Sequence, residues 1–327
     1  MSTTPLPAPP APAPPRKPAL ENRASWALRD RLGFYACWAA GLALCAVAAA
    51  VVVYMLVKGL SELRPAMLFE RPSDGVDQRG AGGLLDPIAG SLLVTTIGIA
   101  IALPLGVGVA LWLVEYARPF WLARLVESGV EVIAGTPSIV LAVFGLILFS
   151  ESFLSVLSFK PEGADTAFGR SFLIAGAMMS LIALPMIVGA TREGLNAIPG
   201  HVREASYALG KTKAATIRRV LLPTVRPNIA AGTALGMGRI IGDTAIIVIL
   251  LGATARLQPL EDVFGPAGPL RGTGSTLTSF VYNNSPAGEG GAFEKAYAAA
   301  FVLLLIVVVL NLVVARIAGG AGRQGGR

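Results

Sequence analysis

Long uncharged runs are the feature that most restricts the fold of this chain. Five of them, each 19 to 28 residues long, contain no Asp, Glu, Lys or Arg, and they occupy 32–57, 87–114, 132–150, 171–191 and 296–315. A sixth stretch, 227–255, is interrupted only by Arg239 and Asp243. About 20 apolar residues carry a helix across a bilayer, where backbone groups find no water, so we predict six transmembrane helices.

The composition also favours a membrane protein. Hydrophobic residues make up 54% of the chain and charged residues only 14%, whereas soluble domains carry about a quarter charged residues. The chain has one histidine and two cysteines, Cys37 and Cys45, which both lie in an apolar run. This leaves little for thiol, zinc or Ser-His-Asp chemistry. We therefore predict no catalytic residues and no metal site.

The distribution of Lys and Arg predicts the orientation of the helices. The two tails and the 115–131 and 191–226 loops together hold 17 of these residues, and the alternate loops hold nine. Because cytoplasmic loops carry the excess of Lys and Arg, both termini are predicted to be cytoplasmic. The net charge of +7 then reflects membrane topology. We expect membrane lipid as a partner and no nucleic acid.

These boundaries divide the chain into tails, a leading helix and a core. Residues 1–33 are predicted to form a disordered tail, because eight prolines among the first 19 residues prevent a helix. The first transmembrane helix is predicted at 34–57 and a periplasmic loop at 58–87. The core at 88–318 contains five transmembrane helices, and 319–327 form a second cytoplasmic tail.

A small polar stretch surrounds Pro137 within the third run. It includes Gly135 and two hydroxyl side chains, Thr136 and Ser138. Two interpretations stay open: close packing between helices through small residues, or a proline bend that lines a substrate pathway. The second makes Thr136 and Ser138 candidate pathway residues.

The 191–226 loop carries a spaced motif. It reads Arg203-Glu204-Ala205-Ser206-Tyr207-Ala208-Leu209-Gly210, then nine residues, then Val220-Leu221-Leu222-Pro223. This pattern resembles the EAA signature of bacterial ABC importer permeases, with Ser206 and Val220 as mild departures. The resemblance implies a surface that couples to a cytoplasmic ATPase, formed by Glu204, Ala205, Gly210, Leu222 and Pro223.

The local chemistry of this loop agrees with a docking helix. Glu204, Ala205 and Ala208 fall on neighbouring turns, where the alanines leave a smooth face. Gly210 is predicted to end the helix in a left-handed C-cap, and Thr212 to begin a second, basic helix. An amphipathic helix lying on anionic lipid is the alternative, and it explains the basic charge but not the motif's spacing.

The same loop contains an octamer, 205–212, that loosely fits a Walker A motif with Lys211 as its lysine. A phosphate-binding loop follows a strand, opens a helix and needs glycines so that backbone N–H groups face the phosphates. No apolar strand precedes this octamer, and 203–209 are predicted to be helical. We therefore predict no nucleotide site and no cofactor in this chain.

Further segments are similar to the PstA family, one of the two permease types of bacterial phosphate ABC importers. They are 82–91, 113–117, 134–140 and 239–245, and the resemblance runs from about residue 80 to 317. The opening at 82–85, Gly-Gly-Leu-Leu, favours PstA over its sister family PstC. Two positions depart: Asp243 replaces the usual Glu, and Gly189 stands where an arginine is expected, with Arg192 three residues later.

The resemblance implies a fold, partners and a location. The fold is an all-α integral membrane protein of the ABC importer type I permease kind, with six transmembrane helices. The partners are a PstC-like sister permease, a PstS-like periplasmic phosphate-binding protein and two copies of a PstB-like ATPase, which hold ATP and Mg²⁺. The location is the bacterial plasma (inner) membrane.

Arg239 and Asp243 lie near mid-membrane, each about 20 Å along a helix axis from its nearer flanking charge. Either charge costs on the order of 3 kcal/mol to insert there, and a spacing of four residues predicts that the two pair on one helix face. They form either a structural ion pair or an anion relay in which Arg239 attracts phosphate, because a guanidinium matches phosphate oxygens. Thr244 is a further candidate pathway residue.

We therefore expect the permease subunit of an ATP-driven phosphate importer, forming half of the translocation pathway. An importer for another oxyanion (sulfate, molybdate or phosphonate) is the nearest alternative. A secondary ion-coupled carrier is a more distant one, since it predicts repeated broken helices and more intramembrane carboxylates. A sensory role in reporting phosphate supply is compatible with transport.

Overall fold

The computed structural model describes residues 28–73, 78–79, 82–151, 154–158, 168–252, 270–286 and 288–320, and in these ranges the regular structure is helical, with no strand. Eleven α-helices occupy the described residues. They are α1 Leu28–Glu62, α2 Leu85–Leu111, α3 Phe120–Gly135, α4 Ser138–Ser150, α5 Phe172–Asn196, α6 Gly200–Ala208, α7 Lys213–Thr216, α8 Leu222–Gly242, α9 Ala245–Leu251, α10 Leu277–Asn284 and α11 Phe293–Gly320. A π-helical turn at Trp112–Tyr116 extends α2, and another at Ile217–Leu221 joins α7 to α8.

The chain forms two compact units, one ending at Tyr54 and the other starting at Met55. In the first unit the described residues all belong to α1, whose apolar side chains, such as Trp38 and Leu42, are exposed. A helix that is apolar on all sides suits a bilayer. Residues 1–27, which include most of the predicted disordered tail, lie outside the described residues.

Helix α1 is longer than the predicted span of 34–57. It includes residues 28–33, which the sequence assigned to the tail, and it continues to Glu62. The prediction was too short because it followed the uncharged run, whereas charged residues such as Arg29 and Arg31 fit a helix end that emerges into water. Similarly, α2 begins at Leu85 and α11 ends at Gly320, both beyond the predicted core of 88–318.

In the part of the chain that the structure describes, four helices are long and apolar enough to cross a membrane: Leu28–Glu62, Leu85–Tyr116, Phe172–Asn196 and Phe293–Ala318. Two further spans are pairs of helices broken by a bend, at 106° between α3 and α4 and at 59° between α8 and α9. The described residues therefore contain up to six spans, if each bent pair counts as one. The runs 132–150 and 227–255 each contain one of these bends.

The bend between α3 and α4 has a local cause. A proline disfavours the helical conformation of the residue before it, and Thr136 accordingly has an extended ψ of 129° ahead of Pro137. A Cβ atom added to Gly135 would meet no neighbouring atom within 4 Å. The small residues around Pro137 therefore lie at a bend, and Gly135 makes no close contact with another helix in the described chain. Of the two interpretations, the geometry favours the bend.

The core of the second unit is built on α5, which packs against α2 on one side and α8 on the other. Small residues let these helices approach closely. A Cβ atom on Gly176 of α5 would lie 2.4 Å from Ile97 Cγ2 of α2, and one on Gly236 of α8 would lie 3.1 Å from Ala183 Cβ of α5. Close approach through small residues is the usual means of helix association in membranes. It places α8, with Arg239, directly against the core.

The short helix α10 ties two of these helices together. A capping box formed by Thr276 and Ser279 begins it. The N–H of Leu277 donates to Ser91 Oγ of α2 at 2.8 Å, and Thr278 Oγ1 donates to the carbonyl of Ile241 at 2.6 Å. The second bond holds the last turn of α8 in place next to the break at Asp243.

Candidate functional site

The break between α8 and α9 separates the two charged residues of this span: Arg239 lies on α8, and Asp243 follows its last residue. Helix α8 ends at Gly242, and Asp243 has extended backbone angles (φ −79°, ψ 126°). The Asp243 side chain is turned toward α9, where its Oδ1 accepts a hydrogen bond from the Ile246 N–H at 3.0 Å. Asp243 is only 9% exposed, so its carboxylate acts as a buried cap for the first turn of α9.

Within the described residues, no ion pair joins Arg239 to Asp243. The predicted pairing on one helix face is therefore wrong. Its premise was a continuous helix in which the two charges are four positions apart, whereas the helix stops one residue before Asp243 and the carboxylate caps the next helix. A structural ion pair between these two residues is not the explanation for Arg239.

Arg239 lies on an open face of α8. The neighbours on this face are small or apolar: Ala231, Leu235, Gly238 and Gly242. A Cβ atom at Gly238 or Gly242 would meet nothing within 4 Å. A guanidinium held in a membrane span needs water, an anion or a partner chain beside it. This face therefore leaves room beside Arg239 for water, an anion or another chain.

Thr136, Ser138 and Thr244 lie at the two breaks. Thr136 and Ser138 flank the bend between α3 and α4, and Thr136 Oγ1 donates to the Val132 carbonyl at 2.7 Å. Thr244 directly precedes α9, and α4 packs against α9 in the core. No hydrogen bond in the described residues joins Thr136 or Ser138 to Arg239 or Asp243. The structure thus places the two breaks on neighbouring helices without direct polar contact between them.

Arg192 is engaged elsewhere. Its guanidinium forms an ion pair with Glu127 of α3, and both side chains are partly exposed. The pair links the C-terminal part of α5 to α3. Arg192 therefore has a partner of its own within the chain, close to the end of α5.

The EAA segment folds as predicted at its centre. Helix α6 ends at Ala208, and Gly210, two residues later, has φ +72°. Two backbone bonds close the turn, from Gly210 N to Tyr207 O at 2.9 Å and from Lys211 N to Ser206 O at 3.3 Å. These are the two bonds of a Schellman motif, in which the left-handed residue is usually glycine. Thr212 then caps α7 by accepting from the Ala215 N–H at 3.3 Å. The predicted C-cap and helix start are both confirmed.

Helix α6 has an outer and an inner face. Glu204, Ala205 and Ala208 are exposed, as is Leu209 at 77%. Ser206 points inward, where its hydroxyl bonds to Thr216 Oγ1 of α7 at 2.8 Å and holds the two helices together. The exposed side carries one carboxylate beside two alanines, but it also presents the large side chains of Tyr207 and Leu209, so it is less smooth than the alanines alone predict.

Leu222 and Pro223 begin α8 at the other end of the motif. Leu222 is half-buried and packs against an apolar cluster under the loop, which includes Leu195, Ile198 and Leu221. Pro223 is exposed and is the second residue of α8, directly after the π-helical turn that joins α7 to this helix. Leu222 therefore supports the loop from beneath, whereas the exposed motif residues lie on α6, at Gly210 and at Pro223.

Sequence reasoning missed the residues that hold α6 in place. Arg203 donates through Nε to Glu115 Oε1 at 3.0 Å, and Lys213 Nζ contacts the Glu115 carbonyl and lies 4.4 Å from the centre of the Tyr116 ring. The only sequence feature that points to these contacts is Glu115, an isolated carboxylate at the end of the second uncharged run. Nothing in that signal identifies partners 88 residues or more away.

Comparison with known proteins finds relatives that are named as phosphate transport permeases. Phosphate transport system permease protein PstA 1 of Mycobacterium tuberculosis is 33% identical over 244 residues, which cover 75% of this chain and 73% of the relative. Phosphate transport system permease protein PstA of Mycobacterium leprae is 34% identical over 233 residues, 71% and 69% of the two chains.

Solved structures show the same fold. A bacterial ABC transporter involved in the import of the acidic polysaccharide alginate matches with a TM-score of 0.59 at 14% identity, covering 91% of this chain and all of that one. Residues 102–321 match the family described as binding-protein-dependent transport system inner membrane component. With its apolar spans, its two broken helices and its EAA loop, this chain belongs to that family and is a multi-pass membrane permease of the ABC transporter type.

Proposed function

We propose that this chain is a permease subunit of an ATP-driven phosphate importer in the plasma membrane of a bacterium. The observation that carries the proposal is Arg239, exposed on an open face of a membrane helix and unpaired with Asp243. A guanidinium at that depth attracts an anion and matches the oxygens of phosphate. The similarity to PstA proteins, named as phosphate permeases, supports phosphate as that anion.

In this proposal the chain forms half of the pathway. Arg239 attracts the ion, and Asp243 and Thr244 shape the path where α8 breaks. Thr136 and Ser138 line it at the bend between α3 and α4. A PstC-like sister permease covers the open face of α8, and a PstS-like periplasmic protein delivers phosphate. Weak binding at Arg239 is sufficient, because a tight site would retain the ion.

The energy comes from another chain. Two copies of a PstB-like ATPase bind ATP and Mg²⁺, and one of them docks on Glu204, Ala205 and Gly210, with Leu222 and Pro223 supporting that surface. This chain holds no cofactor and catalyses no reaction itself. Both of its termini lie in the cytoplasm, on the same side as the ATPase, in agreement with the excess of Lys and Arg in those segments.

The test is transport by the whole complex. The four proteins are reconstituted in proteoliposomes, and uptake of labelled phosphate is measured with and without ATP on the ATPase side. We expect uptake that requires ATP and the binding protein and resists an excess of unlabelled sulfate or molybdate. Competition by sulfate or molybdate would assign the other oxyanion, and uptake driven by a proton gradient without ATP would assign a secondary carrier.

Lys211→Ala is expected to leave ATP binding by the complex unchanged. The Walker-like octamer lies on α6 and its C-cap, and the helix α5 precedes it, so the backbone N–H groups of 205–208 are used within the helix. Binding of labelled ATP is measured for the complex and for the purified permease alone. Saturable binding by the permease that disappears in Lys211→Ala would contradict this prediction.

A further inference from the structure

Two cationic residues of the EAA loop, Arg203 and Lys213, contact the C-terminal end of helix α2 at Glu115. The last turn of α2, the π-helical segment Trp112–Tyr116, leaves carbonyls without partners along the helix. Lys213 of α7 donates to the Glu115 carbonyl, and its ammonium lies over the Tyr116 ring. A cation at a helix C-terminus is favourable, because it bonds to free carbonyls and complements the helix dipole. The loop therefore contacts α2 at the point where α2 stops.

The Glu115 side chain makes the second contact. It is only 6% exposed, and its Oε1 accepts from Arg203 Nε at 3.0 Å. A buried carboxylate is stable only with a partner of this kind, since burying an unpaired charge is costly. Arg203 itself is 20% exposed. The pair is thus enclosed by the protein, unlike the exposed motif residue Glu204 next to it.

Arg203 also reaches the end of α5. Its two terminal nitrogens donate to the carbonyls of Ile198 at 2.9 Å and Leu195 at 3.0 Å. One side chain on α6 therefore binds the C-terminal ends of both α2 and α5. The planar guanidinium suits this task, because it offers several donors in fixed directions, which a lysine does not.

The position of α6 depends on these bonds. A helix of nine residues is not stable by itself, so its neighbours determine where it lies. The apolar cluster beneath it, with Leu195, Ile198 and Val202, holds the helix against the fold, but apolar contacts are non-directional and do not fix its orientation. The hydrogen bonds of Arg203 and Lys213 fix the orientation of the loop, since hydrogen bonds weaken steeply when their geometry changes.

We propose that Glu115, Arg203 and Lys213 form a clasp that transmits movement of α6 to α2 and α5, and through their packing against α8 to Arg239. The proposal rests on the proposed function, in which an ATPase moves α6 from its outer face. The clasp residues are positioning residues: they touch neither the ion nor the ATP. Their loss should uncouple phosphate transport from ATP hydrolysis without unfolding the protein.

The first experiment measures coupling in the reconstituted complex. Glu115→Gln removes the charge but keeps an acceptor, and Arg203→Lys keeps the charge but loses the fork. We expect both to assemble with the ATPase and to lower the phosphate transported per ATP hydrolysed about tenfold, which is within the usual range for coupling between sites. Matched controls are Glu193→Gln and Arg124→Lys, exposed residues of the same types on α5 and α3, which should keep the wild-type ratio.

Two results would overturn the clasp. One is a wild-type ratio of phosphate to ATP in both variants. The other is a loss of assembled complex with a normal ratio in the remainder, which would mean that the bonds only stabilise the loop. If Glu115→Gln does not assemble, Lys213→Gln decides, because it leaves the buried ion pair intact; it should lower the ratio in the same direction, and a wild-type ratio would reject the proposal.

A second readout does not depend on which ion is carried. Gly242→Cys places a thiol on the open face of α8, where a Cβ meets nothing within 4 Å, in a chain whose Cys37 and Cys45 are replaced by serine. Its labelling by a water-soluble maleimide is compared in the complex with and without ATP and vanadate. We expect an ATP-dependent change in the labelling rate that Glu115→Gln and Arg203→Lys abolish.

These two readouts separate the proposals. A complex that shows the ATP-dependent labelling change but takes up no phosphate contradicts the proposed substrate and leaves the clasp supported, if the variants lose that change. A complex that takes up phosphate while the variants keep both the labelling change and the transport ratio contradicts the clasp alone. An absence of ATP-dependent labelling in the wild type also rejects the clasp, because no movement then reaches α8.

Discussion

Arg239→Gln is expected to lower phosphate uptake about a hundredfold, the effect of losing about 3 kcal/mol of charge-assisted hydrogen bonding to an ion in transit. The complex should assemble normally, because Arg239 is exposed in the chain and its removal leaves no acid unpaired in the described residues. Arg239→Lys keeps the charge without the planar fork, so an intermediate rate is expected. Uptake and complex yield are measured together.

The matched control is Arg226→Gln on the same helix. Arg226 is also exposed, but it lies near the start of α8, at the end of the 191–226 segment and far along the axis from the break. Its loss should change uptake less than about threefold, in the range of an exposed charge that binds nothing. If both variants lose uptake equally, the effect reflects the charge of the helix, and Arg239 has no special place in the path.

Asp243 provides a second check on the same prediction. Asp243→Asn keeps a side-chain oxygen that can accept from the Ile246 N–H, so α9 should remain capped. Because Arg239 and Asp243 are not paired, Arg239→Gln with Asp243→Asn should transport no better than Arg239→Gln alone. Recovery of uptake in the double variant would show that the two charges pair in the assembled complex, and it would remove the case for an anion relay.

Glu204→Lys is expected to reduce the ATPase retained by the purified permease about tenfold or more, as the reversal of a charge at the centre of an interface does. Glu204 is exposed and makes no hydrogen bond or ion pair in the described part of the chain, so the permease itself should insert and fold. ATP-dependent phosphate uptake should fall with it. The measurement is the amount of ATPase that co-purifies in mild detergent, with uptake in the same preparation.

Glu193→Lys is the control for this variant. It makes the same reversal at another exposed carboxylate, near the C-terminal end of α5, but away from the outer face of α6. It should retain the ATPase. Normal docking and transport by Glu204→Lys would place the contact with the ATPase somewhere other than the EAA helix.

Features that depend on a few neighbouring residues follow directly from the sequence. The uncharged runs predict the number and approximate places of the membrane spans, because the thickness of a bilayer sets the length of a helix. Gly210 predicts the end of α6, since glycine adopts a left-handed conformation without a Cβ penalty. Pro137 predicts a bend by acting on the residue before it. The spacing of the EAA motif also identifies the exposed surface of α6.

Features that depend on how helices pack were decided by the tertiary structure. Arg239 and Asp243 were predicted to pair, but the break after Gly242 turns the carboxylate toward α9 and leaves the guanidinium on an open face. The angle of 106° at the bend before α4 has no local signature either. Arg203 and Glu115 are 88 residues apart, and they meet only because the ends of α2 and α5 lie side by side under α6. The sequence determines the helices and their local ends, whereas partners across the fold follow from packing that no short pattern records.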